Sequence, residues 1–210
     1  KRRAADRRIE QIIKKGQNIM VQVTKDTIGA KGMRLTNFVT LPGRFVVLMP
    51  TVNHVGVSRK IESGEERERL RKALHELRPK GVGLITRTAG EGKPREEIEE
   101  DVAYLSRIWD RVRSAMETAK APALMHGDLN PILRMVRDAF THDFQRLTVD
   151  SEEEYANITE FLESFAPSLV KRCKLYTAKR PIFDKFGVDQ EIEKALRRTV
   201  YLKSGGHICI

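Results

Sequence analysis

Seven apolar residues, Ile98, Val102, Leu105, Trp109, Val112, Met116 and Ala119, recur in alternating steps of four and three after Pro94. A stripe of that period is buried only if the segment is one long helix laid against another layer. The same spacing suits a coiled coil, but it runs for little more than three heptads. The segment therefore reads as a long amphipathic helix packed on a sheet. Two apolar runs supply strands for that sheet. Phe45-Val46-Val47-Leu48-Met49-Pro50 follows the tight turn Leu41-Pro42-Gly43-Arg44, and Gly81-Val82-Gly83-Leu84-Ile85-Thr86 leads into Arg87. Continuous apolar runs of this length mark buried strands. Between them Leu70, Ala73, Leu74 and Leu77 fall at helical spacing over residues 65–77, and Pro79 stops that helix.

On the N-terminal side, residues 1–15 are strongly basic. Residues 18–24 and 33–40 read as strands joined by Gly29-Ala30-Lys31-Gly32. A strand, a basic glycine-rich turn and a strand suit part of a small barrel of the OB type, which binds single strands on such surfaces. A solvated hairpin with lysines protecting its edge fits the same residues. Beyond the break Ala121-Pro122-Ala123 the pattern becomes α/β alternation: Leu124-Met125, a helix over 129–140, a strand over 146–149 and a helix over 152–165. A strand over 171–176, a helix over 189–197 and a hairpin of 199–202 with 207–210 around Ser204-Gly205-Gly206 complete it. The fold class is mixed, α+β with α/β character.

The chain carries 39 Lys and Arg against 29 Asp and Glu, a net charge of +10, and its pI is about 9.7. That balance favours a polyanionic partner. No apolar stretch reaches the ~20 residues of a membrane span, and no apolar signal core follows the basic N-terminus, so a cytoplasmic location is expected. Cys173 and Cys209 form no CxxC pair and suggest neither a disulfide framework nor a zinc site.

Chemistry concentrates in Arg87-Thr88-Ala89-Gly90-Glu91-Gly92-Lys93. A buried strand ending in an arginine, a hydroxyl and a glycine-rich turn makes an anion-binding corner, since a guanidinium grips a terminal phosphate with two parallel hydrogen bonds. A strand exit with a solvated arginine explains the same residues. A Walker loop is excluded, because Arg87 stands where its first glycine belongs and Pro94 where Ser or Thr must follow Lys93. The loop Asn53, His54, Gly56, Ser58, Arg59 and Lys60 has residue types suited to anion contact. Asp128, Asp143 and Asp150 read as cap or turn residues. The five histidines show no paired ligand spacing, and no nucleophile elbow is present. The residues alone describe a binder of an anionic polymer with no catalytic centre.

Several motifs resemble the ribonuclease E/G family along nearly the whole chain: Val21-Gln22-Val23-Thr24-Lys25, Gly32-Met33-Arg34-Leu35-Thr36-Asn37-Phe38, residues 41–50, Gly56-Val57-Ser58-Arg59-Lys60-Ile61, Arg87-Thr88-Ala89-Gly90, Lys174-Leu175-Tyr176-Thr177 and Leu202-Lys203-Ser204-Gly205-Gly206. That family comprises bacterial and plastid endoribonucleases, hydrolases that cut single-stranded AU-rich RNA, prefer a 5′-monophosphate end, mature ribosomal RNA and start mRNA decay. The resemblance implies that residues 1–37 are the end of an OB-fold RNA-binding domain. Residues 38–120 would be a 5′-sensor domain, and 121–210 part of an RNase H-like domain. It also implies a 5′-monophosphate site at Arg87 and Thr88, walled by Gly43 and Val47, with Lys25, Lys31, Arg59 and Lys60 along the RNA path.

The family's catalytic aspartates belong to a DNase I-like domain that opens after the Ser-Gly-Gly hairpin. The resemblance therefore implies no catalytic or metal-binding residue in this stretch, and the stretch alone is expected not to cleave RNA. Mg²⁺ and an inter-protomer Zn²⁺ would belong to the longer enzyme, as would assembly into a homodimer or homotetramer. A non-catalytic RNA-binding module, such as a translation or ribosome-assembly factor, is the alternative expectation.

Overall fold

The structure is a computed structural model that describes residues 8–209. Most of the basic N-terminal run, residues 1–7, and Ile210 lie outside the described residues. The chain divides into two units, Lys1–Asn130 and Pro131–Ile210.

In the first unit the expected layer of helices on a sheet is present. A four-stranded sheet has the order β3-β4-β6-β5, with β3 at Leu41–Pro42, β4 at Val46–Met49, β5 at Val55–Val57 and β6 at Gly83–Thr86. β4 runs antiparallel to β6 with Val46 opposite Thr86 and Leu48 opposite Leu84, while β5 lies parallel to β6. Because successive side chains point to opposite faces, Val46, Leu48, Leu84 and Thr86 share one face, and all four are buried. Val47 and Ile85 share the other face and are half-buried.

Two helices pack on this sheet: α1, Gly64–Leu77, against β5 and β6, and α2, Arg95–Thr118, against β4 and β3. α1 starts where the Ser63 hydroxyl accepts the Glu66 N–H at 3.3 Å, an N-cap with glutamates in the first turn. α2 buries Ile98, Val102, Leu105 and Val112 of the expected stripe, while Met116 is exposed. Full burial of a leucine is worth about 2 kcal/mol. The sheet tolerates no side chain at Gly83, where a Cβ would meet the Val52 carbonyl oxygen at 2.2 Å.

The N-terminal strands are shorter than expected: β1 is Gln22–Lys25 and β2 is Arg34–Thr36, paired in a two-stranded sheet of their own. Gln22 ties this hairpin to the following segment, donating to the Thr40 carbonyl and accepting the Thr40 N–H, both at 2.9 Å.

The second unit opens with α3, Pro131–Ala139, and continues β7, Leu147–Val149, then α4, Glu152–Phe165, then β8, Cys173–Leu175. β7 and β8 are parallel, so α4 is the crossover of a βαβ unit. Ser151 caps α4 through the Glu154 N–H, and Ile158, Phe161, Leu162 and Phe165 are buried along it. Leu124-Met125 forms no strand, and Leu124 is 84% exposed. Lys171 and Arg172 belong to a 3₁₀ turn, Pro167–Arg172, rather than to β8. A short helix that the sequence pattern does not announce, α5, Ile182–Phe186, precedes α6, Val188–Ala195; Gly187 joins them at a φ of 69°. The closing hairpin pairs β9, Thr199–Tyr201, with β10, His207–Cys209.

Candidate functional site

The end of β6 and the turn between β3 and β4 meet at one point. The Gly43 N–H donates to the Val46 carbonyl at 2.8 Å, closing the turn. Arg87 engages this turn twice: its backbone N–H donates to the Phe45 carbonyl at 2.7 Å, and its Nη1 donates to the Gly43 carbonyl. By strand alternation Arg87 falls on the same face as Val47 and Ile85. Arg87 is half-buried, and Thr88, which opens a 3₁₀ turn, is exposed.

The Thr88 hydroxyl lies 3.1 Å from that of Ser58. Ser58 is itself fixed: its N–H donates to the Thr86 carbonyl at 2.9 Å, extending the β5–β6 pairing. Its carbonyl accepts Arg67 Nη1 at 2.8 Å from α1. Lys60 donates its N–H to the Ser58 hydroxyl at 3.3 Å, so the exposed pair Arg59 and Lys60 leaves the corner directly. Lys93 sets its ammonium 5.7 Å from the centroid of the Phe45 ring, a cation–π distance. Of the residues that the family resemblance groups, Arg87 lies against Gly43 and next to Thr88, with Val47 on the same face of the sheet. Lys25 and Lys31 are exposed on the separate N-terminal hairpin. There Lys25 stands opposite Arg34 in the strand register, just past an irregularity that follows Val23.

Behind the turn stands Asp101 of α2, which is 4% exposed. Its Oδ1 accepts the Arg44 N–H at 3.0 Å, and its Oδ2 accepts those of Phe45 and Val46, both at 2.8 Å. Burial pushes its pKa above the ordinary value, while those three N–H groups and the charge of Arg44 oppose the rise. A Cβ on Gly43 would lie 2.5 Å from both carboxylate oxygens, so a side chain there would have to displace the carboxylate. Asp101 was missed in the sequence. Its signal is an acidic residue on an apolar stripe, three after Ile98 and four before Leu105, where a carboxylate is tolerated only with partners.

The glycine-rich loop after Thr88 is tied to α1. Glu66 accepts Arg69 Nε and Nη2, both at 2.7 Å, and the Gly92 N–H at 2.8 Å, while Arg69 also donates to the Lys93 carbonyl at 2.9 Å. Elsewhere Asp128 and Asp143 make local turn contacts, to the Leu129 N–H and the Thr141 hydroxyl. Among the described residues no group of three or more His, Cys, Asp and Glu side chains is arranged to hold a metal ion. No helix among them is long and apolar enough to cross a membrane.

A model of the Ribonuclease E/G family matches residues 40–210. The chain belongs to the ribonuclease E/G family. It is 42% identical over 204 residues to Ribonuclease G of Escherichia coli K12, covering 97% of this chain and 42% of that protein. Similarity extends to both branches of the family. Identity is 38% over 202 residues to Ribonuclease G of Haemophilus influenzae and 40% over 204 residues to Ribonuclease E of the same organism, covering 41% and 22% of those proteins. The chain thus spans less than half the length of the ribonuclease E/G relatives it matches, and all the residues of the corner, from Gly43 to Asp101, fall within the family match.

Proposed function

We propose that this chain is the RNA-recognition part of a single-strand-specific endoribonuclease, and that the Arg87 corner grips a 5′-terminal monophosphate. The observation that carries this is the seating of Arg87. Its guanidinium is fixed to the Gly43 carbonyl beside the paired hydroxyls of Thr88 and Ser58. A terminal monophosphate carries a second charge, with a pKa near 6, and three free oxygens; an internal phosphodiester carries one charge and two free oxygens. A planar guanidinium with an adjacent hydroxyl therefore gains more from the terminal group. Val47 walls the corner on the same face. Arg59 and Lys60 lead away from it, and Lys25 and Lys31 continue the RNA path through charge contacts with backbone phosphates.

In this reading residues 1–37 are an OB-fold portion, 38–120 a 5′-sensor and 121–210 an RNase H-like portion, in a protein that acts in ribosomal RNA maturation and mRNA decay. Its work is recognition: hydrogen bonding and charge admit an RNA end, and cleavage, Mg²⁺, Zn²⁺ and homo-oligomer assembly belong to the longer enzyme.

Substitution of the guanidinium tests the proposal. Arg87→Ala is expected to lower affinity for a 5′-monophosphorylated A/U-rich oligonucleotide by about 10- to 100-fold, the loss of charge-assisted hydrogen bonds. Affinity for the 5′-hydroxyl form should change little. An unchanged ratio of the two affinities would refute the assignment.

A further inference from the structure

Two peptide planes of the β3–β4 turn are each held from both sides. In a planar trans peptide the N–H of one residue points opposite to the C=O of the residue before it. The Arg44 N–H is bound to Asp101 Oδ1, and the Gly43 carbonyl across the same peptide accepts Arg87 Nη1. The Val46 N–H is bound to Asp101 Oδ2, and the Phe45 carbonyl across that peptide accepts the Arg87 N–H. Each of these two carbonyls that receive Arg87 is therefore the far end of a peptide that Asp101 holds by its near end. The Phe45 N–H, also on Oδ2, fixes the residue between them.

We infer that Asp101 is the positioning residue of the Arg87 corner, setting the orientation of the guanidinium through these two peptides without touching the RNA. The inference rests on the 5′-monophosphate reading of that corner. It assigns the specificity of the site partly to a residue on α2 that is buried away from any ligand. Two accepting oxygens are needed as well as shape. A carboxylate accepts at both oxygens, whereas an asparagine amide offers one acceptor and one N–H₂ donor. In Asp101→Asn, an amide oxygen at the Oδ2 position abandons the Arg44 N–H and releases the Gly43 carbonyl. With the amide reversed, the Val46 N–H is abandoned and the Phe45 carbonyl is released. Either way Arg87 loses one fixed acceptor. Gly43 fits the same account, since any side chain there would displace the carboxylate.

The test compares four proteins, all as the 210-residue chain: wild type, Asp101→Asn, Arg87→Ala and Leu105→Ala. Each is titrated with the same A/U oligonucleotide bearing a 5′-monophosphate or a 5′-hydroxyl, at a temperature where circular dichroism shows it folded. Leu105, on the same helix and 1% exposed, controls for destabilisation alone. Asp101→Asn is expected to weaken binding of the monophosphate form about tenfold and of the hydroxyl form less than about twofold, with Leu105→Ala keeping the wild-type ratio. A wild-type ratio in Asp101→Asn, alongside its loss in Arg87→Ala, overturns the inference and leaves the 5′-monophosphate reading standing. No preference in the wild type overturns that reading and the inference with it. If Asp101→Asn does not fold, Asp101→Ser takes its place under the same criteria. Failure of both to fold, or an equal loss of ratio in Leu105→Ala, makes Asp101 a folding residue and also overturns the inference.

Discussion

Thr86 closes β6 with a hydroxyl that is fully enclosed and meets no hydrogen-bond partner among the described residues. Burying a hydroxyl without a partner costs about 1–3 kcal/mol, and valine has nearly the same shape. Thr86→Val should therefore raise stability by about 1 kcal/mol, read as a higher urea midpoint with an unchanged slope; a lower midpoint would show that the hydroxyl has a partner after all. The neighbouring residues separate what the sequence made legible at this scale from what it did not. Arg87 and Thr88 stood out because a cation and a hydroxyl directly follow an apolar run bounded by glycines. Asp101 did not, because its role is to bind backbone N–H groups 55 to 57 residues away in the chain, and no local spacing encodes a partner at that distance. Ser58 was visible only as one polar residue in a loop; its hydroxyl meets that of Thr88 because β5 and β6 end side by side, with Val57 opposite Thr86.

Elements were legible where periodicity and caps agree. α4 begins and ends at the residues expected, Glu152 and Phe165, since Ser151 caps it and four core residues repeat along it. α2 was equally plain from its stripe. The misses are short or lack a pattern of their own: α5 has five residues, and the 3₁₀ turn Pro167–Arg172 ends in residues that read as the start of a strand. Strand ends were overextended at β1 and β2 because alternation persists in the sequence beyond the last ladder bond.

Glu66 and Arg69 tie α1 to the loop that follows Thr88. Hydrogen bonds from Arg69 hold the Glu66 pKa at about 2 against an ordinary 4.5, with the Gly92 N–H adding to them and burial opposing. A depressed carboxylate contributes stability that is fully present above the unfolded value and is lost as pH falls through the folded one. Arg69 is 42% exposed, so screening reduces a ceiling of about 3 kcal/mol to about 1 kcal/mol. The stability difference between wild type and Glu66→Gln should be full at about pH 6, shrink between about 4.5 and 2, and vanish below that. A pH-independent difference in denaturant midpoint would mean that the charge of Glu66 is not what ties the loop.

Across the molecule, the excess of ten positive charges by itself points to a polyanion, but bulk charge attracts every phosphate alike. The proposed 5′-end preference needs a fixed group, and in the first unit an arginine at the end of β6 is seated on a turn that α2 holds in place. That arrangement combines parts separated widely in sequence: the turn at Gly43, the loop at Ser58, the strand end at Arg87 and the helix residue Asp101. The second unit contributes a βαβ core and a hairpin whose outlines are legible in the alternation of helical and strand patterns. The proposed role of this chain is to tell a 5′-monophosphate end of an RNA from a 5′-hydroxyl end. The most direct measurement is the equilibrium affinity of the wild-type chain for one A/U oligonucleotide carrying either a 5′-monophosphate or a 5′-hydroxyl, at the same fixed salt concentration. Binding of the monophosphate form should be at least about tenfold tighter; equal affinities for the two would contradict the proposed role.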